Sequence, residues 1–114
     1  MTRIDFYKTD HGWQDFKAHG HTGFGVHGED LVCAAVSALT KTSVLGLVKV
    51  LGITCKIEED EQDGLLLCLL PRGLSKEVRQ QAQLILKVLY EGLTTLELDY
   101  GKYIAVKEVP YHEN

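Results

Sequence analysis

The chain has 114 residues, the length of one domain, and carries 12 Lys and Arg against 16 Asp and Glu, a formal charge of −4. That balance excludes a protein whose affinity comes from neutralising phosphates, because nucleic-acid binders present a basic face. Apolar residues at 45% and charged residues at 25% are globular averages that argue against disorder and against a membrane span, so residues 1–114 are expected to form one soluble domain.

Ile4 and Phe6 alternate with Arg3, Asp5 and Tyr7, and Trp13 to Ala18 follows a turn at Asp10-His11-Gly12, which predicts a two-stranded antiparallel hairpin. Residues 20–28 then carry Gly20, Gly23, Gly25 and Gly28, the composition of a mobile loop. Glu29-Asp30 is read as the cap of a long first helix from Leu31 to Leu51, bent near Gly46 and stopped by Gly52 at its C′ position.

Ile53, Cys55 and Ile57 alternate with polar residues, and Leu65 to Leu70 is apolar throughout, as in a strand covered on both faces. These segments predict a second hairpin, with the five acids among the six residues of Glu58 to Asp63 as its solvated turn. Ser75 is a good N-cap for a second, amphipathic helix, in which Val78, Ala82, Ile85, Leu89, Leu93 and Leu96 recur at spacings of three or four. Tyr103 to Val109 closes the chain as a last strand before Pro110. The predicted order is ββαββαβ, an α+β domain with a mostly antiparallel sheet and two helices.

No apolar leader follows the N-terminal charges, so a cytoplasmic protein is expected. Cys33, Cys55 and Cys68 are three thiols without the close spacing of a zinc ribbon, and reduced cysteines follow. Cys55 and Cys68 lie on apolar strand faces and read as inert packing residues.

Cys33 reads differently. It falls in the first turn of the predicted helix, where unpaired amide donors and the helix dipole favour a thiolate. Helical spacing groups it with Ser37, Thr40 and Lys41 on a more polar stripe, apart from Val32, Ala35, Val36 and Leu39. Four histidines, His11, His19, His21 and His27, stand just before it. Their nearness to Cys33 suits a thiol nucleophile with a histidine base, or a zinc site built from His19, His21, His27 and Cys33. His11, in a hairpin turn, and His112, in the tail, are read as solvated.

The run from Gly20 through Ser37, Gly-His-Thr-Gly-Phe-Gly-Val-His-Gly-Glu-Asp-Leu-Val-Cys-Ala-Ala-Val-Ser, strongly resembles the bacterial ribosomal-processing cysteine proteases called Prp. It departs from the family pattern only in placing Leu31 where Ile or Val is usual. Length and element order fit the family along the whole chain.

The resemblance implies Cys33 as nucleophile and His21 as general base and proton donor, with no cofactor and no metal. Family members are cytoplasmic homodimers that remove a short N-terminal extension from large-subunit ribosomal protein L twenty-seven. The precursor of that protein is thus the implied peptide substrate and a homodimer the implied state, without direct nucleic-acid or membrane binding. Asp30 matches the family's acidic position, where it would orient His21 or cap the helix; Ser37 stands one turn beyond the thiol. Gly20, Gly23, Phe24 and Gly28 belong to the implied substrate loop, Phe24 as a contact for apolar substrate side chains. Backbone N–H groups at the helix start, that of Cys33 included, are the natural place for an oxyanion hole. The competing reading is a small dimeric binding or regulatory protein whose His and Cys hold a metal ion or merely pack.

Overall fold

The computed structural model describes residues 1–20 and 27–111, with side chains for 1–20 and 31–111. The chain runs β1 (Thr2–Thr9), β2 (Gly12–His19), α1 (His27–Leu45) continued by a π-helical turn (Gly46–Val50), β3 (Lys56–Asp60), β4 (Leu65–Leu69), α2 (Lys76–Tyr100) and β5 (Ile104–Pro110). This is the predicted ββαββαβ order. The strands form one sheet ordered β3-β4-β2-β1-β5, antiparallel except where β5 runs parallel to β1.

Alternation decides which face is covered. Thr2, Ile4 and Phe6 of β1, Phe16 and Ala18 of β2, and Leu66 and Cys68 of β4 are buried, so one face of the sheet packs against the helices and the other is open. In β1 and β2 the register slips between Tyr7 and Lys8, and the irregularity turns Trp13 toward the core. There Trp13 and Tyr90 lie 5.0 Å apart, ring centre to ring centre, and each lies against Phe6. The Gln83 side chain clamps the turn by accepting from the Trp13 N–H and donating to the Trp13 carbonyl.

α1 begins earlier than its sequence suggests. Glu29 and Asp30 lie inside its first turn and do not cap it from outside, so the N-cap role read for Asp30 falls away. The glycines ahead of Glu29 hid the start, since Gly28 is helical here despite its poor intrinsic propensity. The expected break near Gly46 appears as a change of helical pitch at that residue. Its Cα is pressed against Ile85, to which an added Cβ would come within 3.2 Å. Gly52 ends the helix at a φ of +70°, the left-handed conformation of a C′ residue.

Leu31–Val50 is apolar enough to cross a membrane by length and composition, with a mean hydropathy of 1.8, which the global composition did not suggest. In the fold it covers the sheet through Val32, Val36, Thr40 and Leu47. Thr40, expected on the polar stripe, is buried, and its hydroxyl donates back to the Val36 carbonyl at 2.8 Å. α2 crosses α1 in the opposite direction, since Gly92 sits against Leu39 and Ile85 against Gly46. The predicted Ser75 cap is present, its hydroxyl accepting from the Val78 N–H at 3.2 Å.

The second hairpin differs in two respects. β3 starts at Lys56 and takes in Glu58, Glu59 and Asp60, so only Glu61 to Gly64 form the turn, with Asp60 accepting from the N–H groups of Gln62 and Asp63. Charged residues suit an exposed edge strand, where they discourage further pairing. β4 is covered on one face only: Leu66 and Cys68 are buried whereas Leu65, Leu67 and Leu69 are half-exposed. On the open face Leu67 stands between its cross-strand partners Lys17 and Glu58, whose side chains give it partial cover.

Candidate active site

Cys33 is half-buried in the second turn of α1. Its sulfur lies 3.6 Å from the hydroxyl of Thr2 at the start of β1. Thr2 is held from the other side by its own N–H, which donates to the Tyr103 carbonyl at 2.9 Å, and only 4% of the residue is exposed. Helix and sheet therefore meet at the thiol. Arg3 pairs with His19 in the β1–β2 register, so β2 ends at the same end of the sheet. Gly20 follows at a φ of +102°, and a Cβ there would collide with the Met1 carbonyl oxygen. Glycine is required at this point because two backbones touch.

Because α1 starts at His27, the amide donors left unpaired at its start precede Cys33 by about a turn. The Cys33 N–H lies in the helical ladder, which removes it from the oxyanion hole expected there.

Ser37 is exposed one turn beyond the thiol. His21, Gly23 and Phe24 lie outside the described residues, as do the side chains of His27 and Asp30; Gly28 is described by its backbone alone. His112 is also outside them. His11 is exposed in its turn.

His19 is placed away from the thiol. Its Nε2 lies 3.2 Å from Asp5 Oδ2, and Asp5 alternates with the buried Ile4 and Phe6, so the pair occupies the open face of the sheet. Cys33 touches Thr2, which shares the covered face. A zinc site using both His19 and Cys33 is therefore not formed, and no cluster of three or more His, Cys, Asp or Glu among the described residues is arranged for a metal.

A cleft of about 750 Å³ is lined by Lys8, His11, Trp13, Arg72, Arg79 and Tyr111, among others. It lies at the Thr9–Gly12 turn, the opposite end of the hairpin from Thr2, and strand geometry puts it roughly 20 Å from the thiol. Thr2 was passed over in the sequence. The available signal was its place in the Thr2-Ile4-Phe6 alternation, which puts a hydroxyl on the core face.

The family described as Cysteine protease Prp matches residues 1–105. The ribosomal processing cysteine protease Prp of Bacillus subtilis (strain 168) is 35% identical over 97 residues, covering 85% of this chain and 87% of that protein. The crystal structure of SMU.848 from Streptococcus mutans superposes with a TM-score of 0.84 at 25% identity, over 97% of this chain and 96% of the other. That of the essential ribosomal processing protease Prp from S. aureus, in complex with a substrate peptide, gives 0.83 at 27% identity, over 96% of this chain and all (100%) of the other. The same S. aureus protease with a covalently linked product peptide gives 0.81 at 27% identity, with the same coverage. The chain belongs to the Prp family of cysteine proteases and is a cysteine peptidase.

Proposed function

We propose that the protein is an endopeptidase that removes the N-terminal extension of large-subunit ribosomal protein L twenty-seven, with Cys33 as nucleophile and His21 as base. The observation that carries the reading is the half-buried Cys33 sulfur at the end of the sheet where β2 runs out through Gly20, one residue before His21. The covalently linked product peptide of the S. aureus relative supports an intermediate bonded to the enzyme.

The chemistry then follows in two halves. His21 takes the Cys33 proton and the sulfur attacks the scissile carbonyl carbon. As the carbon–nitrogen bond breaks, His21 returns the proton to the leaving amine, and a thioester joins the released extension to Cys33. Water, deprotonated by His21, attacks the thioester and frees the carboxylate, and the thiol regains its proton. Asp30 orients His21, and Phe24 contacts apolar substrate side chains. The reaction belongs in the cytoplasm, where thiols stay reduced.

The active form in this reading is a homodimer. α2 presents Leu84, Val88 and Leu98 at 65%, 73% and 86% exposure, and the α1 side of the same layer adds Leu31, Leu45 and Val50. Leu84 and Val88 are one turn apart and Leu98 lies fourteen residues beyond Leu84, so the three share the side of α2 turned away from the buried Ala82, Leu86, Leu89 and Leu93. A second copy laid on this face would cover them.

Incubation with the precursor of the organism's own ribosomal protein L twenty-seven, read by intact mass, tests the reading. Cleavage at one bond within the N-terminal extension, lost in Cys33→Ala, is expected. An intact precursor, or cleavage that persists in Cys33→Ala, overturns it.

A further inference from the structure

Thr2 combines three properties that packing alone does not require. It is a polar residue on the covered face of β1, it is 4% exposed, and among the described residues its hydroxyl has the Cys33 sulfur as its partner, at 3.6 Å. A buried hydroxyl left without a partner is costly. Valine, which has nearly the same shape, would fill this place without that requirement. The hydroxyl's position is also fixed: the Thr2 N–H is tied to the Tyr103 carbonyl, the strand continues in register with β5 from Thr2–Ile104 onward, and a β-branched side chain has few χ1 choices.

We infer that Thr2 is a positioning residue for the Cys33 nucleophile, its hydroxyl holding the sulfur in one orientation and donating to it when it carries negative charge. The inference rests on Cys33 being the nucleophile. A cysteine in a helix has two accessible χ1 orientations, and a donor fixed on the neighbouring strand favours the one that points the sulfur at Thr2. In the thiol form either group can donate to the other. In the thiolate only the O–H can donate, and it does so to sulfur as a charge-assisted bond. The thiolate forms from the thiol on the way to attack and part of its charge is still on the sulfur in the transition state, so the bond lowers the barrier counted from the thiol and fades once the thioester has formed. Thr2 therefore acts on the state of the nucleophile before attack and makes no demand on substrate binding.

The test compares Thr2→Val and Thr2→Ser with the parent by three measurements: the rate of iodoacetamide alkylation mapped to Cys33, kcat and KM on the precursor, and the melting temperature. In Thr2→Val, kcat should fall roughly tenfold with KM unchanged, and Cys33 alkylation should slow by a similar factor at an unaltered melting temperature. Thr2→Ser, which restores the hydroxyl, should recover both rates. Parental rates in Thr2→Val, or equal defects in Thr2→Ser and Thr2→Val, overturn the inference. The alkylation measurement separates this from the protease reading: cleavage persisting in Cys33→Ala sinks the latter, whatever Thr2→Val does to the thiol.

Discussion

The neighbouring thiol of Cys68 pulls Cys55 below the ordinary thiol range, against the opposing effect of burial. The same pairing, followed by burial, pushes Cys68 up. The two cysteines are thus not equivalent packing residues. Cys68 is fully buried, whereas Cys55 is half-buried and precedes β3.

Thiol labelling should show three classes. In the folded protein, iodoacetamide mapped by peptide mass should modify Cys33 and, more slowly, Cys55, leaving Cys68 untouched. Cys68→Ala removes the neighbouring thiol, so Cys55 should react several-fold more slowly at neutral pH. Faster reaction of Cys55 in that variant would show that steric shielding by Cys68, and not its pull on the Cys55 thiol, governs Cys55.

Cys33→Ala should abolish cleavage and leave the melting temperature within about 2 °C of the parent, because Cys33 is only half-buried and lies off the buried Val32–Val36 stripe. His21→Ala should lower kcat by about 100-fold or more while Cys33 still alkylates. Asp30→Asn should cost less than His21→Ala, since it removes an orienting charge and not the base.

Asp15 is 6% exposed and accepts from the Leu70 N–H at 3.2 Å. Burial raises its carboxyl above the usual value, with the Leu70 bond and Arg72 pulling the other way. A raised carboxyl means that the folded state keeps its proton to higher pH than the unfolded chain, so this group's contribution to stability is lost as pH rises from the unfolded value through the folded one. Asp15→Asn keeps an acceptor for Leu70 and has no charge to bury. Its melting temperature should exceed the parent's by about 2–4 °C at pH 7, and the gap should close at acid pH. A gap that widens on acidification would contradict the sign.

Gly52 adopts a φ of +70° with open space around its Cα. Gly52→Ala should therefore cost about 1 kcal/mol through backbone strain alone, measured by urea denaturation, whereas Gly52→Asn should cost less.

Val88 is 73% exposed on α2. If a second copy covers this face, Val88→Glu should shift light scattering from dimer to monomer mass at micromolar concentration while the circular dichroism of the fold is kept. A dimer mass unchanged by Val88→Glu would place the interface elsewhere.

Local pattern in the sequence was enough for the element order, the Ser75 cap, the Gly52 stop and the identity of the family, because strand alternation, helical spacing and cap chemistry depend on neighbours a few residues apart. The His21 and Cys33 assignments came from a contiguous motif for the same reason. What the chain could not reveal by itself depended on contacts between distant segments. The start of α1 was hidden by glycines that read as loop, and β3 by acids that read as a turn until pairing with β4 drew Glu58, Glu59 and Asp60 into the sheet. Leu65 to Leu70 reads as doubly covered, yet both helices pack on one face, and a leucine on the other carries no local mark of its exposure. Only the register of β1 with β2 separates His19 from Cys33, and only the crossing of α1 over β1 brings the hydroxyl of Thr2 to a sulfur 31 residues away in the chain, a distance at which no periodicity survives.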